Sequence, residues 1–216
     1  MRTRAEIISL LTNPGVIAVV RAKQAEQIMP IAEALLAGGV LAVEVTMTTP
    51  NALAALRQAR RCLGERGLLG MGTVLDAATC QAAIDAGAEF LASPITRIDL
   101  VAVAHAADRP VMLGAYTPTE AQTAHEAGAD FIKIFPADSL GPSYIKAIRA
   151  PLPHLRIVPT GGVDLSTARE FIQAGCAALG VGSSLVSGKI LAENDWPALS
   201  RLAAQFVETV RQARQS

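Results

Sequence analysis

Long apolar runs are missing from this sequence of 216 residues, although 51% of its residues are hydrophobic. A membrane-spanning helix needs about 20 consecutive apolar residues, and no stretch reaches that length. The apolar run near the amino terminus is interrupted at Asn13, Pro14 and Gly15, too early for the core of a signal peptide. The sequence therefore predicts no membrane partner and one large domain over residues 1–216.

An excess of charge of either sign is also missing, because 19 basic residues balance 19 acidic ones. Like charges form no block, so a nucleic-acid partner is not predicted and a small-molecule ligand is favoured. Cys62, Cys80 and Cys176 show no CxxC spacing, which argues against a disulfide framework and a zinc knuckle. Reduced thiols are typical of the cytoplasm, and we predict a cytoplasmic protein.

Signatures of several enzyme classes are absent as well. The sequence contains no GxSxG motif, no Walker A loop and no Rossmann fingerprint, which gives little support to serine hydrolases, nucleotide kinases and dehydrogenases. His105, His125 and His154 fall on predicted helices or a loop, and no His, Asp or Glu cluster has metal-ligand spacing. No metal site is predicted.

What the sequence does contain is a regular alternation of short runs rich in valine and isoleucine with longer stretches of helical period. Eight such units in roughly 200 residues predict a single-domain (β/α)8 TIM barrel, preceded by a short N-terminal helix. A doubly wound open sheet stays the alternative, because a count of strands does not show closure. The predicted strands cover residues 16–21, 41–46, 68–74, 90–94, 111–116, 131–136, 156–161 and 178–183.

A weak internal repeat supports this count. The segments "AGGVLAVEV", "AGAEFLASP", "AGADFIKIF" and "AGCAALGVG" place a glycine just before every second strand. Each glycine is predicted to follow a helix in a conformation with positive φ, which costs least for glycine. The four residues are Gly38, Gly87, Gly128 and Gly175.

Helix starts have recognisable signals too. Thr117 to Glu120 form a capping box with a proline at the first helical position, and Asp76, Asp164 and Thr49 with Pro50 resemble further N-terminal caps. A last helix from about Asp195 is predicted to pack one apolar face on the barrel.

Two charged residues interrupt apolar strands, Lys133 in "FIKIFP" and Glu44 in "LAVEVT". Side chains alternate between the lumen and the outside of a barrel, so both can face the lumen. In one interpretation they form a buried ion pair or reach the barrel rim, although such a pair often fails to recover its desolvation cost. In the other, loss of water favours the neutral amine, which makes Lys133 a Schiff-base nucleophile and Glu44 its general acid and base.

The ends of the last two strands carry a possible anion site. "PTGGVD" and "GVGSSLV" follow strands seven and eight, where barrels commonly bind phosphate through backbone N–H groups. The candidates are Thr160, Gly161, Gly162, Gly182 and Ser183. Steric permission at a tight turn would explain the glycines equally simply.

Two other strand ends have polar residues. Arg21 ends the first strand and could pair with a carboxylate or phosphate, or form a rim salt bridge. Thr73 ends the third and could bond a substrate oxygen, or only pack. Two other functions stay open, because the same phosphate loops and fold would also suit them. One is an enzyme that isomerises or ring-closes a phosphorylated substrate without an imine, and the other is a barrel without catalytic activity that only binds a phosphorylated metabolite.

Eight segments, the first "IAVVRA" and the last "GVGSSLV", occur in the order and spacing that one known family shows. The most specific are "VEVTMTTP", "GTV", "SP", "TPTE", "IKIFPA" and "PTGGV". With this set the sequence resembles the 2-keto-3-deoxy-6-phosphogluconate (KDPG) and 4-hydroxy-2-oxoglutarate (KHG) aldolases, which are class I enzymes.

The resemblance implies a carbon–carbon lyase in which Lys133 forms the imine, Glu44 moves protons, and Thr73, Pro94 and Phe135 line the pocket. It implies phosphate at the Gly161, Gly162 and Ser183 region, pyruvate as a product, no metal or organic cofactor, and a homotrimer. Cleavage of 4-hydroxy-2-oxoglutarate is a further implied activity. The 2-keto-3-deoxy-6-phosphogalactonate sugar acid is an alternative substrate.

One departure from the family bears on the substrate. Many members have an arginine for an anionic end of the substrate where this chain has Thr48. Members with "VLRA" near the amino terminus lack that arginine, and the resemblance implies that Arg21 takes over its role here.

Overall fold

The computed structural model describes residues 2–215, which form a barrel of eight parallel strands. Each strand pairs with its sequence neighbours, and β1 also pairs with β8. A bridge between Thr160 and Gly180 closes the remaining seam. The predicted (β/α)8 barrel is confirmed, and closure replaces the open-sheet alternative. The strands are β1 (Val16–Val20), β2 (Ala42–Thr46), β3 (Leu68–Gly72), β4 (Phe90–Ala92), β5 (Val111–Ala115), β6 (Phe131–Ile134), β7 (Ile157–Pro159) and β8 (Leu179–Val181).

Helices follow the strands on the outside of the barrel, as the alternating pattern predicts. Within residues 2–215, no helix combines the length and the apolar character needed to cross a membrane. The helices are α1 (Arg4–Thr12), a 3-10 turn (Ala25–Gln27), α2 (Ile28–Ala37), α3 (Ala52–Leu63), α4 (Ala77–Asp85), α5 (Asp99–Ala106), α6 (Pro118–Glu126), α7 (Gly141–Arg149), α8 (Ala168–Gln173), α9 (Gly188–Glu193) and α10 (Trp196–Ala213).

The predicted helix starts are partly confirmed. The Thr117 and Glu120 capping box begins α6, and the Asp76 carboxylate accepts a hydrogen bond at the start of α4. The prediction at Thr49 and Pro50 is wrong, since α3 begins at Ala52 and the Thr49 hydroxyl instead accepts from the Ala22 N–H. That bond attaches the loop after β2 to the loop after β1.

Asp164 caps a turn before α8 instead of the helix itself. Its carboxylate accepts from the N–H groups of Ser166 and Thr167, and α8 starts only at Ala168. The glycine prediction holds at three of its four positions. Gly87, Gly128 and Gly175 have φ near +95°, whereas Gly38 has φ −88° and its neighbour Gly39 adopts the positive φ of +84°.

The barrel has two apolar cores. The larger one lies between the strands and the surrounding helices, and α10 packs Leu199, Phe206 and Val210 against it. The smaller one fills the lumen at the N-terminal ends of the strands, which we call the bottom, and Ile7 and Leu11 of α1 close it from below. The upper lumen is therefore the part of the barrel left for polar side chains.

Two buried carboxylates also lie at the bottom, each just before a strand. Glu89 precedes β4 and is 3% exposed. Its carboxylate accepts from Arg2 at 2.9 Å and from the Leu69 N–H at 3.3 Å, and Arg60 lies 3.5 Å away. One of its three partners therefore belongs to the segment that enters α1.

Asp130 occupies the same position before β6. It accepts from Arg4 of α1 at 2.8 Å and from the Val111 N–H at 2.9 Å, and His105 Nε2 lies 3.1 Å from it. The acidic residues of "AGAEF" and "AGADF" are thus equivalent in sequence and in structure. Together they attach the N-terminal segment to the bottom of the barrel.

Candidate active site

Lys133 and Glu44 meet in the upper lumen. Lys133 lies on β6, Glu44 on β2, and the Lys133 Nζ donates to Glu44 Oε1 at 2.9 Å and Oε2 at 3.3 Å. Their side chains are 6% and 2% exposed. The prediction that both share the lumen is confirmed. The pair sits directly above the apolar core of the lower lumen, which includes Phe131, two residues before Lys133.

The pair is flanked by Gly72, which makes room for the Glu44 carboxylate, and by the ring of Phe135. Gly72 of β3 pairs with Thr46 of β2, and a Cβ at Gly72 would collide with the Glu44 carboxylate. The glycine of the "GTV" segment is therefore a packing requirement of Glu44. On the other side, the Phe135 ring centroid lies 5.9 Å from Lys133 Nζ, and the ring is partly exposed above it.

A cavity of about 760 Å³ lies at the C-terminal ends of the strands, and it is next to the pair because Thr46 and Phe135, each two residues beyond a member of the pair, line it. Seven predicted site residues line it, namely Arg21, Phe135, Thr160, Gly161, Gly162, Gly182 and Ser183. It is lined further by residues that the sequence did not single out, among them Lys23, Thr46, Val163, Ser184 and Leu191.

The two glycine-containing loops on one side of the cavity differ in why they need glycine. Gly161 and Gly162 have φ of +88° and +69°, and a Cβ at Gly162 would also collide with Asp138. At Gly182 φ is not positive and a Cβ would meet no atom within 4 Å. Backbone conformation thus explains the first two glycines, whereas Gly182 leaves space that faces the cavity.

At the end of β1, which pairs with β8, Arg21 lines the cavity and takes part in a row of hydrogen bonds. Its Nε donates to Thr48 Oγ1 at 3.0 Å, and Thr48 Oγ1 lies 2.8 Å from Thr46 Oγ1. Thr46 Oγ1 in turn donates to the Val20 carbonyl at 3.3 Å. The row connects the end of β1 to the strand that carries Glu44.

Besides Lys133 and Glu44, two predicted residues lie outside this cavity lining. Pro94 lines a neighbouring cavity of about 550 Å³, which shares Phe135 and also contains Tyr116 and Glu120. Thr73 lines neither of these two cavities. It follows β3 with φ +60°, a left-handed conformation that is strained for a β-branched residue by about 1–3 kcal/mol.

The buried thiols are poorly suited to nucleophilic chemistry. Burial raises the pKa of Cys176 to about 12 and, together with the charge of Asp99, that of Cys80 to about 11. A thiol with such a pKa stays protonated and unreactive near neutral pH. Across residues 2–215, no group of three or more His, Cys, Asp or Glu side chains is placed to hold a metal ion.

The sequence from residue 7 to residue 202 matches the family model described as KDPG and KHG aldolase. The chain belongs to this aldolase family. It is 32% identical to the 2-dehydro-3-deoxy-phosphogluconate aldolase of Pseudomonas aeruginosa over 97% of this chain and 96% of that protein. It is also 32% identical to the 2-dehydro-3-deoxy-6-phosphogalactonate aldolase of Escherichia coli K12, over 94% and 98%.

A solved structure of a family member shows the chemistry that the family can perform. The KDPG aldolase of Legionella pneumophila, with pyruvate captured as a covalent carbinolamine intermediate, superimposes with a TM-score of 0.84. It is 29% identical, and the match covers 91% of this chain and 96% of that one.

In this member of the KDPG and KHG aldolase family, the sequence predicted that Lys133 and Glu44 share the lumen but did not identify all the residues that line the cavity. Parity along β2 places Thr46 in the lumen beside Glu44, so its position was predictable. Lys23 and Leu191 line the cavity from loop and helix positions without such periodicity. No local signal in the sequence identifies them.

Proposed function

We propose that this protein is a cytoplasmic class I aldolase that cleaves 2-keto-3-deoxy-6-phosphogluconate to pyruvate and glyceraldehyde 3-phosphate. The buried pair of Lys133 and Glu44, 2.9 Å apart, carries the proposal. An apolar pair of similar volume would often be as stable as a buried ion pair, so stability is a weak reason to keep one here. The pair also lies next to an open cavity, which is lined by Thr46 and by Phe135, the residue whose ring is 5.9 Å from Lys133 Nζ.

The first steps form an imine. Glu44 takes a proton from the Lys133 ammonium, and the neutral amine attacks C2 of the keto acid to give a carbinolamine. Glu44 returns its proton to the departing C2 oxygen, which leaves as water. The resulting iminium draws electrons from the neighbouring carbon atoms.

The next steps break the carbon–carbon bond. Glu44, again a carboxylate, accepts the proton of the C4 hydroxyl as the C3–C4 bond breaks, and the bonding electrons move into an enamine on Lys133. Glyceraldehyde 3-phosphate leaves. Protonation of the enamine carbon by Glu44 and attack of water on the iminium then release pyruvate and restore the amine.

The two anionic ends of the substrate bind at different loops around the cavity in this proposal. The phosphate is bound at the loops that contain Gly161, Gly162, Gly182 and Ser183, where backbone N–H groups are the natural donors. The carboxylate pairs with Arg21, whose planar guanidinium matches it with two parallel hydrogen bonds. Thr73, Pro94 and Phe135 contact the substrate between these ends.

A second substrate is supported by a specific observation. The chain is as similar to a phosphogalactonate aldolase as to a phosphogluconate aldolase, at 32% identity to each. The two sugar acids differ in configuration at C4. Assay of both epimers, and of 4-hydroxy-2-oxoglutarate, which lacks the phosphate, identifies the preferred substrate from the ratio of kcat/KM values.

We also propose that the protein assembles as a homotrimer, as the resemblance implies. The loops after β3 and β4 expose Leu75, Ile95 and Ile98, each close to half exposed. A subunit interface would cover apolar side chains of this kind. Light scattering should give three times the chain mass of 22.5 kDa, and a monomeric mass would contradict the assembly.

Borohydride trapping tests the central proposal. Reduction in the presence of pyruvate should leave a stable adduct on Lys133, located by peptide mass mapping. Turnover of the phosphorylated keto acid should accompany it. Folded protein that binds phosphate but forms no adduct would favour a barrel that acts without an imine, or one that only binds its ligand.

A further inference from the structure

The hydrogen-bonded row at the rim of the cavity has no part in the imine steps. It consists of Arg21, Thr48 and Thr46 and ends at the Val20 carbonyl. We infer that Thr48 is a positioning residue, which holds the Arg21 guanidinium toward the substrate carboxylate. The inference rests on the proposed function, because it adds a residue to the carboxylate site assigned there to Arg21.

The direction of every bond in the row follows from its two ends. A backbone carbonyl only accepts, so the Thr46 hydroxyl proton points to Val20. Thr46 Oγ1 must then accept in its 2.8 Å contact with Thr48, and the Thr48 hydroxyl proton points to Thr46. A guanidinium only donates, so a lone pair of Thr48 receives the Arg21 Nε proton. All three protons are assigned without conflict.

This arrangement leaves the end of the guanidinium available. The row occupies Nε, and the structure records no ion pair between Arg21 and any residue from 2 to 215. Both terminal nitrogens can therefore form the two parallel bonds that suit a carboxylate. Arg21, Thr46 and Thr48 all line the same cavity.

The anchor of the row is rigid. Thr46 is 2% exposed and lies on the same face of β2 as Glu44, two residues earlier. The bond from the Ala22 N–H to Thr49 Oγ1 holds the adjoining loops together. Thr48 and Arg21 are exposed, so their bond competes with water until a ligand covers it. We therefore expect the row to affect substrate affinity and to have little effect on folding.

Replacement of one hydroxyl tests the inference. Thr48→Val keeps the side-chain shape and removes the acceptor of Arg21 Nε. KM should rise about three- to tenfold, as expected for one net hydrogen bond, with kcat within about twofold of the unaltered enzyme. Thr48→Ser retains the hydroxyl and should restore the original KM. Thr209→Val, on α10, is the matched control for loss of a threonine hydroxyl.

Pyruvate separates the carboxylate from the phosphate, because it carries only the former. The pyruvate concentration that gives half-maximal borohydride trapping should rise in Thr48→Val by the same factor as KM. If this concentration is the same in Thr48→Val and in the wild type, the inference about Thr48 is wrong. The proposed function is still supported in that case, because the wild type forms the trapped adduct. Absence of trapping in the wild type would instead reject the proposed function, and with it the site on which the inference rests.

A double-mutant cycle tests whether Thr48 acts through Arg21. Arg21→Met should weaken pyruvate binding by itself, and Thr48→Val in that background should then have no further effect. Independent, additive losses would contradict a positioning role for Thr48.

Discussion

Carboxylates are buried at both ends of this barrel, but their partners differ. At the bottom, Glu89 and Asp130 each have three partners, of which one is a backbone N–H group and one an arginine near the amino terminus. In the upper lumen, the Glu44 carboxylate has Lys133 as its recorded hydrogen-bond donor. Several fixed donors hold a carboxylate in one position, whereas a carboxylate with a single amine partner has lone pairs left for a proton or a ligand.

This difference separates structural charges from chemical ones. Bonds to backbone groups fix the position of Glu89 and Asp130 and join α1 to the strands. Glu44 and Lys133 are linked by side chains alone, below an open cavity. Burial is therefore common to all three carboxylates, and what distinguishes Glu44, the proposed catalytic one, is the nature and number of its partners.

Replacement of the amine gives the largest expected effect. Lys133→Met removes the nucleophile, so turnover should fall on the order of 10⁴-fold or more and borohydride trapping should disappear. Lys146→Met, at an exposed position on α7, is the control and should keep full activity. Substantial turnover in a folded Lys133→Met protein would remove the imine from the mechanism.

A double variant sharpens the same point. Replacement of both members of the pair, Lys133→Met with Glu44→Leu, should leave the free energy of unfolding equal to or above that of the wild type, because well-packed apolar residues often match a buried pair. Urea denaturation measures it. A large loss of stability would mean that the upper pair is structural, as at the bottom.

Glu44→Gln should act on the proton transfers. The amide cannot accept the C4 hydroxyl proton, and turnover should fall about 100-fold or more. Exchange of the pyruvate methyl protons with deuterium, followed by NMR, should slow as well. Exchange at the wild-type rate would exclude Glu44 as the proton carrier.

Asp130→Asn should show the opposite profile at the bottom of the barrel. The amide loses its charge-assisted bonds to Arg4 and His105, and the free energy of unfolding should fall by about 3 kcal/mol. Activity per folded molecule should stay close to that of the wild type. A loss of kcat without a loss of stability would break the distinction between the two ends.

Gly182→Ala should have a smaller effect, confined to the cavity. The backbone accepts alanine here, and a Cβ meets no protein atom within 4 Å. The melting temperature should stay the same or rise slightly. If the phosphate approaches this glycine closely, KM for the phosphorylated substrate should rise about tenfold. An unchanged KM would place the phosphate elsewhere.

The smallest effect concerns pH. Hydrogen bonds from the Tyr116 N–H, the Thr117 side chain and the Thr117 N–H hold the pKa of Glu120 below its usual value of 4.5. A carboxylate with a lowered pKa stabilises the fold above pH 4.5, and this stabilisation is lost as the pH falls through the lower, folded-state pKa. The decrease in melting temperature below pH 4.5 should therefore be shallower in Glu120→Gln. Identical pH profiles would contradict a stabilising role for this carboxylate.

The eight strands and the central pair of the site were predictable because their signals are local. Alternation within "FIKIFP" and "LAVEVT" places Lys133 and Glu44 in the lumen once a barrel is assumed. The "GTV" segment, by contrast, begins with a glycine that accommodates Glu44 and a strained Thr73, and both depend on contacts between strands. Sequence periodicity contains no information on such contacts.

The bottom of the barrel was the least predictable region. Glu89 and Asp130 belong to the repeated segments, but an acidic residue before a strand is ordinarily exposed. Their arginine partners near the amino terminus, Arg2 and Arg4, are 87 and 126 residues away in the chain. The start of α3 at Ala52 was not predicted either, because it also depends on a contact that is distant in the chain. Thr49 Oγ1 accepts a hydrogen bond from the Ala22 N–H in another loop and does not cap the helix that follows it.

The attachment of Arg2 and Arg214 to one face has a practical consequence. Arg2 donates to the Gly67 carbonyl before β3, and Arg214 donates to the Ala177 carbonyl before β8, so both residues lie on the side of the barrel opposite the cavity. A carrier protein or surface linker joined next to either residue would extend away from the cavity mouth. Immobilisation next to Arg2 or Arg214 should therefore leave substrate diffusion unobstructed, which suits this barrel to use as a fixed-bed catalyst.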